Sequence, residues 1–136
     1  MNQGRQEDSD IKKMIADYME CGMLDNIIDM FKHDKSLYGY VGDLLLDERM
    51  RVRIGITALI EALREKDRAG VLSAIPTILP LLKNDSPVAR GDAAYLLGII
   101  GSKDVIPYLS VLENDENVNV RTIAQEAIED IHARTE

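Results

Sequence analysis

Residues 81–101 read LLKNDSPVARGDAAYLLGIIG. Two leucines lead into a polar turn, the turn opens an apolar helix, and one full positive charge, Arg90, stands at the helix start. The stretch decides the fold because the chain repeats it. LLLDERMRVRIGITALIEAL (44–63), LLKNDSPVARGDAAYLLGII (81–100) and LENDENVNVRTIAQEAIEDI (112–131) align without gaps on Arg53, Arg90 and Arg121. Six residues before each arginine stand Asp47, Asn84 and Asp115. One residue before are Val52, Ala89 and Val120, and three after are Ile56, Ala93 and Ala124. Seven after are Ile60, Leu97 and Ile128, and ten after are Leu63, Ile100 and Ile131. At about 100° per residue these offsets fall on one helical face.

The segments upstream agree as well. AIPTILPLL (74–82) and VIPYLSVL (105–112) place Ile-Pro at the same distance from their arginines. Pro76 and Pro107 suit a first helical turn, where the missing N–H has no partner to lose. Pro80 sits deeper and is expected to kink or split its helix. The arginines are spaced by 37 and then 31 residues, the extra six falling near the charged turn 65–70. Helix pairs recurring at such a period cannot bury an apolar face alone, so they stack on one another.

The signature L-x-D-x-x-x-x-V-R-x-x-A underlies all three copies. It appears as Leu45-Leu46-Asp47…Val52-Arg53, as Leu82…Asn84…Ala89-Arg90-Gly91-Asp92-Ala93, and as Asp115…Val120-Arg121…Ala124. On these residues the chain resembles the HEAT-like repeat, in the short form of about thirty residues associated with phycobilisome lyases. Asn84 for Asp, Ala89 for Val and Ile56 for Ala depart from the pattern but keep its register. The resemblance implies an all-α, right-handed α-α superhelix, with repeats at 36–66, 69–101 and 104–134.

One domain is expected from 136 residues. Residues 1–8 are polar and expected to be disordered or frayed. From Ser9, Ile11, Met14, Ile15, Tyr18 and Met19 follow helical spacing, with Ser9 or Asp10 as cap and Gly22 at the close. Leu24, Ile27, Ile28 and Phe31 continue the stripe, so 9–33 reads as a helical N-terminal cap or a degenerate repeat. Leu37, Tyr40, Val41, Leu44 and Leu45 form a third stripe with Ser36 as its expected N-cap, and Asp47 opens a fourth helix. No segment alternates with the period of a strand. With one Phe and no Trp, aliphatic residues and Ala must fill the core, which favours helices.

The net charge is −8, divided as −5 over 1–47, +2 over 48–101 and −5 over 102–136. That balance disfavours nucleic acid and anionic membranes as partners. No apolar run reaches the roughly 18 residues of a membrane helix. A lone cysteine, Cys21, forms no internal disulfide and fits a reducing, cytoplasmic setting. The polar first residues do not read as a signal peptide.

Chemistry needs a constellation, and none is found. His33 and His132 have no metal-ligand spacing, no phosphate loop follows a strand, and Cys21 lacks an activating partner. Neither histidine is followed by Glu, as in iron-binding HEAT-like hydroxylases, and HEAT-like glycosylases are basic and aromatic where this chain is acidic. No catalytic residue, metal or cofactor is expected. The ladder Arg53, Arg90, Arg121 with Asp47, Asn84, Asp115 is read as structural, with Arg53 reaching the Asn84 turn and Arg90 reaching Asp115. The face opposite the core offsets carries Ile54, Ala58, Glu61, Gly91, Tyr95, Gly98, Thr122, Glu126 and Glu129. This is the expected concave, partner-binding surface of a monomer or weak homodimer. Tyr95 reads there either as an anchor or as a space-filler. Gly91 and Gly98 either permit close helix approach or lower the groove floor. The expected function is a non-catalytic protein-interaction or scaffold module. The alternatives are weak nucleic-acid binding through Arg49, Arg51, Arg64, Lys66 and Arg68, or service as an accessory subunit of an enzyme.

Overall fold

A computed structural model describes residues 2–135. Among them every regular element is helical. The chain opens with α1 (Asn2–Glu20) and α2 (Leu24–His33), then a 3₁₀ segment (Lys35–Tyr40) running into α3 (Val41–Leu44). Next come α4 (Met50–Lys66), α5 (Arg68–Ser73), α6 (Ile75–Ile78) and a 3₁₀ segment (Leu79–Lys83). The chain then forms α7 (Pro87–Ile100), α8 (Ile106–Val111) between two 3₁₀ turns, and α9 (Val118–Thr135). The long helices α4, α7 and α9 carry the three arginines, and the broken helices before each form the second layer. The fold is an all-α solenoid.

Several local readings need correction. α1 starts at Asn2, so the segment expected to fray before Ser9 is helical, with Asp8 accepting from the Tyr40 hydroxyl at 2.7 Å. The third stripe is 3₁₀ before it is α, and Asp34 rather than Ser36 caps it by accepting from Ser36 N–H. α4 begins at Met50, three residues after Asp47. Asp47 instead ties the turn by accepting from Arg49 N–H at 2.9 Å. The break at Pro80 falls where a missing N–H predicts it: α6 ends at Ile78 and 3₁₀ geometry continues. Gly22 closes α1 with φ +76°, a conformation in which a side chain would be strained.

One core runs the length of the stack. Ile15, Phe31, Tyr38, Ile56, Leu59, Leu63, Ile78, Leu96 and Leu97 are fully buried in it. Phe31 and Tyr38 meet edge to face with ring centres 5.0 Å apart, and α1 and α2 pack on α4. Tyr38 donates to Asp67, which also accepts from Lys35 and from Gly70 N–H as the cap of α5. Burial and this carboxylate push the Tyr38 hydroxyl well above the ordinary tyrosine range.

The arginines repeat one device. Arg53 Nη1 donates to the Asp47 and Glu48 carbonyls at 2.8 and 2.9 Å. Arg90 Nη1 does the same to Asn84 and Asp85, and Arg121 Nη1 to Asp115. Each guanidinium thus closes the turn that precedes its own helix, satisfying carbonyls that no helix uses. The side chains of Asp47, Asn84 and Asp115 each accept the N–H two residues ahead. The fold needs both halves of the motif, which is why they recur together.

Candidate functional site

The two junctions between the long helices differ. At the α7–α9 junction, a Cβ placed on Gly98 would lie 2.7 Å from Ala127 Cβ and 2.8 Å from its Cα. One placed on Gly91 would lie 3.3 Å from Ile123 Cδ1. Both glycines face α9 and are buried: Gly98 belongs to the close helix packing, while Gly91 also borders a cleft of about 260 Å3 between the first turns of α7 and α9. Arg90 locks the same junction by donating from Nε and Nη2 to the Asp115 carboxylate at 2.9 and 3.1 Å. Side-chain exposures of 10% and 9% make this a buried, two-pronged pair.

At the α4–α7 junction each of these features is replaced. The positions of Gly91 and Gly98 are held on α4 by Ile54 and Glu61, whose side chains are exposed along the gap to α7. The position of Asp115 is held by Asn84, whose side chain is turned into its own loop, accepting from Ser86 N–H. The bond expected from Arg53 to the Asn84 turn does not form. Asp115 makes the same turn bond to Asn117 N–H and still offers Arg90 a charged carboxylate with a second acceptor oxygen, whereas the second terminal atom of Asn84 is an NH2 donor, and Arg53 is left 3.9 Å from Asp92 of α7.

A groove of about 450 Å3 therefore opens between α4 and α7. Met50, Ile54, Thr57, Ala58 and Glu61 line it from α4, with Arg53 at its side, and Val88, Asp92 and Tyr95 from α7. Four of these are apolar or aromatic side chains unusually open to water: Met50 64%, Ile54 60%, Val88 54% and Tyr95 46% exposed. Of the sequence-predicted surface, the groove unites Ile54, Ala58, Glu61 and Tyr95. Thr122, Glu126 and Glu129 are exposed on α9 and lie outside it. Met50, Thr57, Val88 and Asp92 were not predicted, and Arg53 was expected only in the structural ladder.

Asp92 is the groove's unusual group. Burial pushes its carboxyl above the ordinary range, and Arg53 only partly offsets this. Burial, then the charge of Glu61, raises the Tyr95 hydroxyl as well. A carboxyl whose folded pKa is raised stabilises the fold at low pH and loses that contribution as pH rises from the unfolded value through the folded one. Asp92→Asn is therefore expected to raise the thermal midpoint at neutral pH and to leave it unchanged below about pH 3.5. Equal midpoints at neutral pH would show that the Asp92 charge carries no such penalty.

The basic residues set aside for nucleic acid do not form one patch. Arg49 is bound to Asp17 and Asp47, at the opposite end of α4 from Arg64 and Lys66. Among the described residues no group of three or more His, Cys, Asp or Glu is placed to hold a metal ion. His33 is engaged with the Asp29 carbonyl at 2.7 Å. No described helix is long and apolar enough to cross a membrane.

Comparison with known proteins adds one finding. The family model described as HEAT repeats matches residues 44–129, more than half of the chain, and spans all three arginines. No curated protein and no solved structure matches the chain.

Proposed function

This chain belongs to the HEAT-repeat family, and from that premise we propose that it is a non-catalytic binding module receiving a partner protein's segment in the groove between α4 and α7. HEAT repeats commonly mediate protein–protein interaction. The observation that carries the reading is the open junction itself. Two helices that could have closed, as α7 and α9 do, instead leave four large apolar side chains exposed around a half-buried carboxylate. Exposed apolar clusters of this kind mark interaction sites, and a partly buried carboxylate set among them gives a segment a polar point of attachment.

Ile54 and Val88 would supply apolar contact, and Tyr95 an anchor with a polar tip. Asp92 and Glu61 would accept from N–H groups of the segment. The proposal extends to a monomer or weak homodimer acting in a reducing, cytoplasmic compartment, in keeping with a single, exposed cysteine. An accessory subunit of an enzyme, including one of the lyase type, is the same reading with its partner specified. The test is a photo-crosslinker at position 54. A partner protein should be joined there, and the product should be lost when Tyr95 is replaced by Ala.

A further inference from the structure

Beyond Tyr95 the gap between α4 and α7 changes character. Arg64 stands one turn past Glu61, and Ile99 one turn past Tyr95. Here a second cleft of about 220 Å3 opens, and three arginines reach it from separate parts of the chain. Arg64 comes from the last turn of α4, Arg68 from the first turn of α5, and Arg134 from the last turn of α9. Glu65 is the one carboxylate in the lining, and the apolar residues are Val71, Leu72, Ile99 and Ile100.

We propose that this cleft is an oxyanion site, taking a phosphate carried on an apolar group. Three cations gather in a protein of net charge −8, although like charges brought together repel. Arg134 is positioned by donating from Nη2 to the Gly101 carbonyl at 2.7 Å. Neither Arg64 nor Arg68 has a hydrogen bond or ion pair with the side chain of any described residue. Among the described residues no side chain occupies their guanidinium donors, which can therefore turn to a ligand. Guanidinium groups match phosphate oxygens in pairs, and a tetrahedral anion offers acceptors to more than one of them. The apolar lining beside them selects for what the phosphate is attached to: an aryl or alkyl group would cover Leu72 and Ile99, which a free ion would leave wet. The site goes beyond the proposed partner groove, because it needs no protein partner to be occupied.

The experiment is an amide NMR titration of the full chain with inorganic phosphate, phenyl phosphate and phenol. Phenyl phosphate is expected to give saturable shifts at residues 64–72 and 99–101, to bind more tightly than inorganic phosphate, and to weaken as salt is added. Arg64→Ala and Arg68→Ala should each reduce its affinity about tenfold, while Arg51→Ala on the outer part of α4 leaves it unchanged. All three positions are exposed, so the fold survives these changes. Non-saturating shifts, or saturation unaffected by the Arg64 and Arg68 variants, would overturn the site and leave the arginines as solvated surface charges. Equal binding of phenol would reduce it to an apolar cleft, and equal binding of inorganic phosphate would remove the apolar selection. None of these outcomes depends on whether a partner occupies the groove.

Discussion

Gly98→Ala is expected to destabilise the protein by about 2 kcal/mol, lowering the thermal midpoint by about 5–10 °C. The added methyl would gain up to about 1 kcal/mol of helix propensity. Against that, it meets Ala127 Cβ at 2.7 Å and Cα at 2.8 Å. No rotamer change relieves contact with a backbone atom, so α9 must move away from α7. Gly91→Ala is the informative contrast. Its neighbour is the flexible tip of Ile123 at 3.3 Å, so its loss should be much smaller. Glu61→Ala, at the Gly98-equivalent position beside the open groove, should stay within about 0.5 kcal/mol. Equal effects at 98 and 61 would mean that the two junctions do not differ in closeness.

Arg90→Met is expected to be the most damaging of the three arginine substitutions, with a loss roughly twice that of Arg53→Met or more. Arg90 makes four hydrogen bonds, two to turn carbonyls and two to Asp115. Its removal leaves a carboxylate, 9% exposed, with the Asn117 N–H as its remaining hydrogen-bond donor. Arg53 loses two carbonyl bonds and a long pairing with Asp92, and Arg121 one carbonyl bond. The order Arg90, Arg53, Arg121 should appear as decreasing shifts in urea midpoint at constant slope. Arg90 holds the Asp115 carboxyl below its ordinary range. A depressed carboxyl contributes its stability above the unfolded pKa and loses it as pH falls through the folded one. The gap between wild type and Arg90→Met should therefore narrow in acid. A loss no larger than that of Arg121→Met would remove the lock from the second junction.

The stack was legible because its signals are local. A hydrophobic stripe, a turn carboxylate or amide, and an arginine six residues later reappear at fixed spacing, and each copy closes its own turn. What lies between copies was less legible. The glycines at 91 and 98 had two readings because a glycine's role depends on what the next helix sets against it, here Ile123 and Ala127. Asp92, Val88 and Met50 were missed for a related reason. One face of each long helix was followed along the stack, whereas the groove is built from opposite sides of two helices. Its α7 wall carries 88, 92 and 95 rather than 91 and 98. The signal was present as a charged residue two places after Arg90 in an otherwise apolar helix. Asn84 was visible as a departure from Asp, and its consequence was not: both side chains cap their own turn, but only the carboxylate keeps a second acceptor for the arginine of the neighbouring repeat.

Placement of the binding segment is therefore the central question, and crosslinking by position answers it most directly. A photo-crosslinker introduced singly at 54, 88 and 95 samples the α4–α7 groove, and one at 122, 126 and 129 samples the exposed face of α9. The same partner protein should be captured from all three groove positions and from none of the α9 positions, with capture from position 54 abolished by Tyr95→Ala. Capture from 122, 126 and 129 without capture from 54, 88 and 95 would contradict the groove as the site.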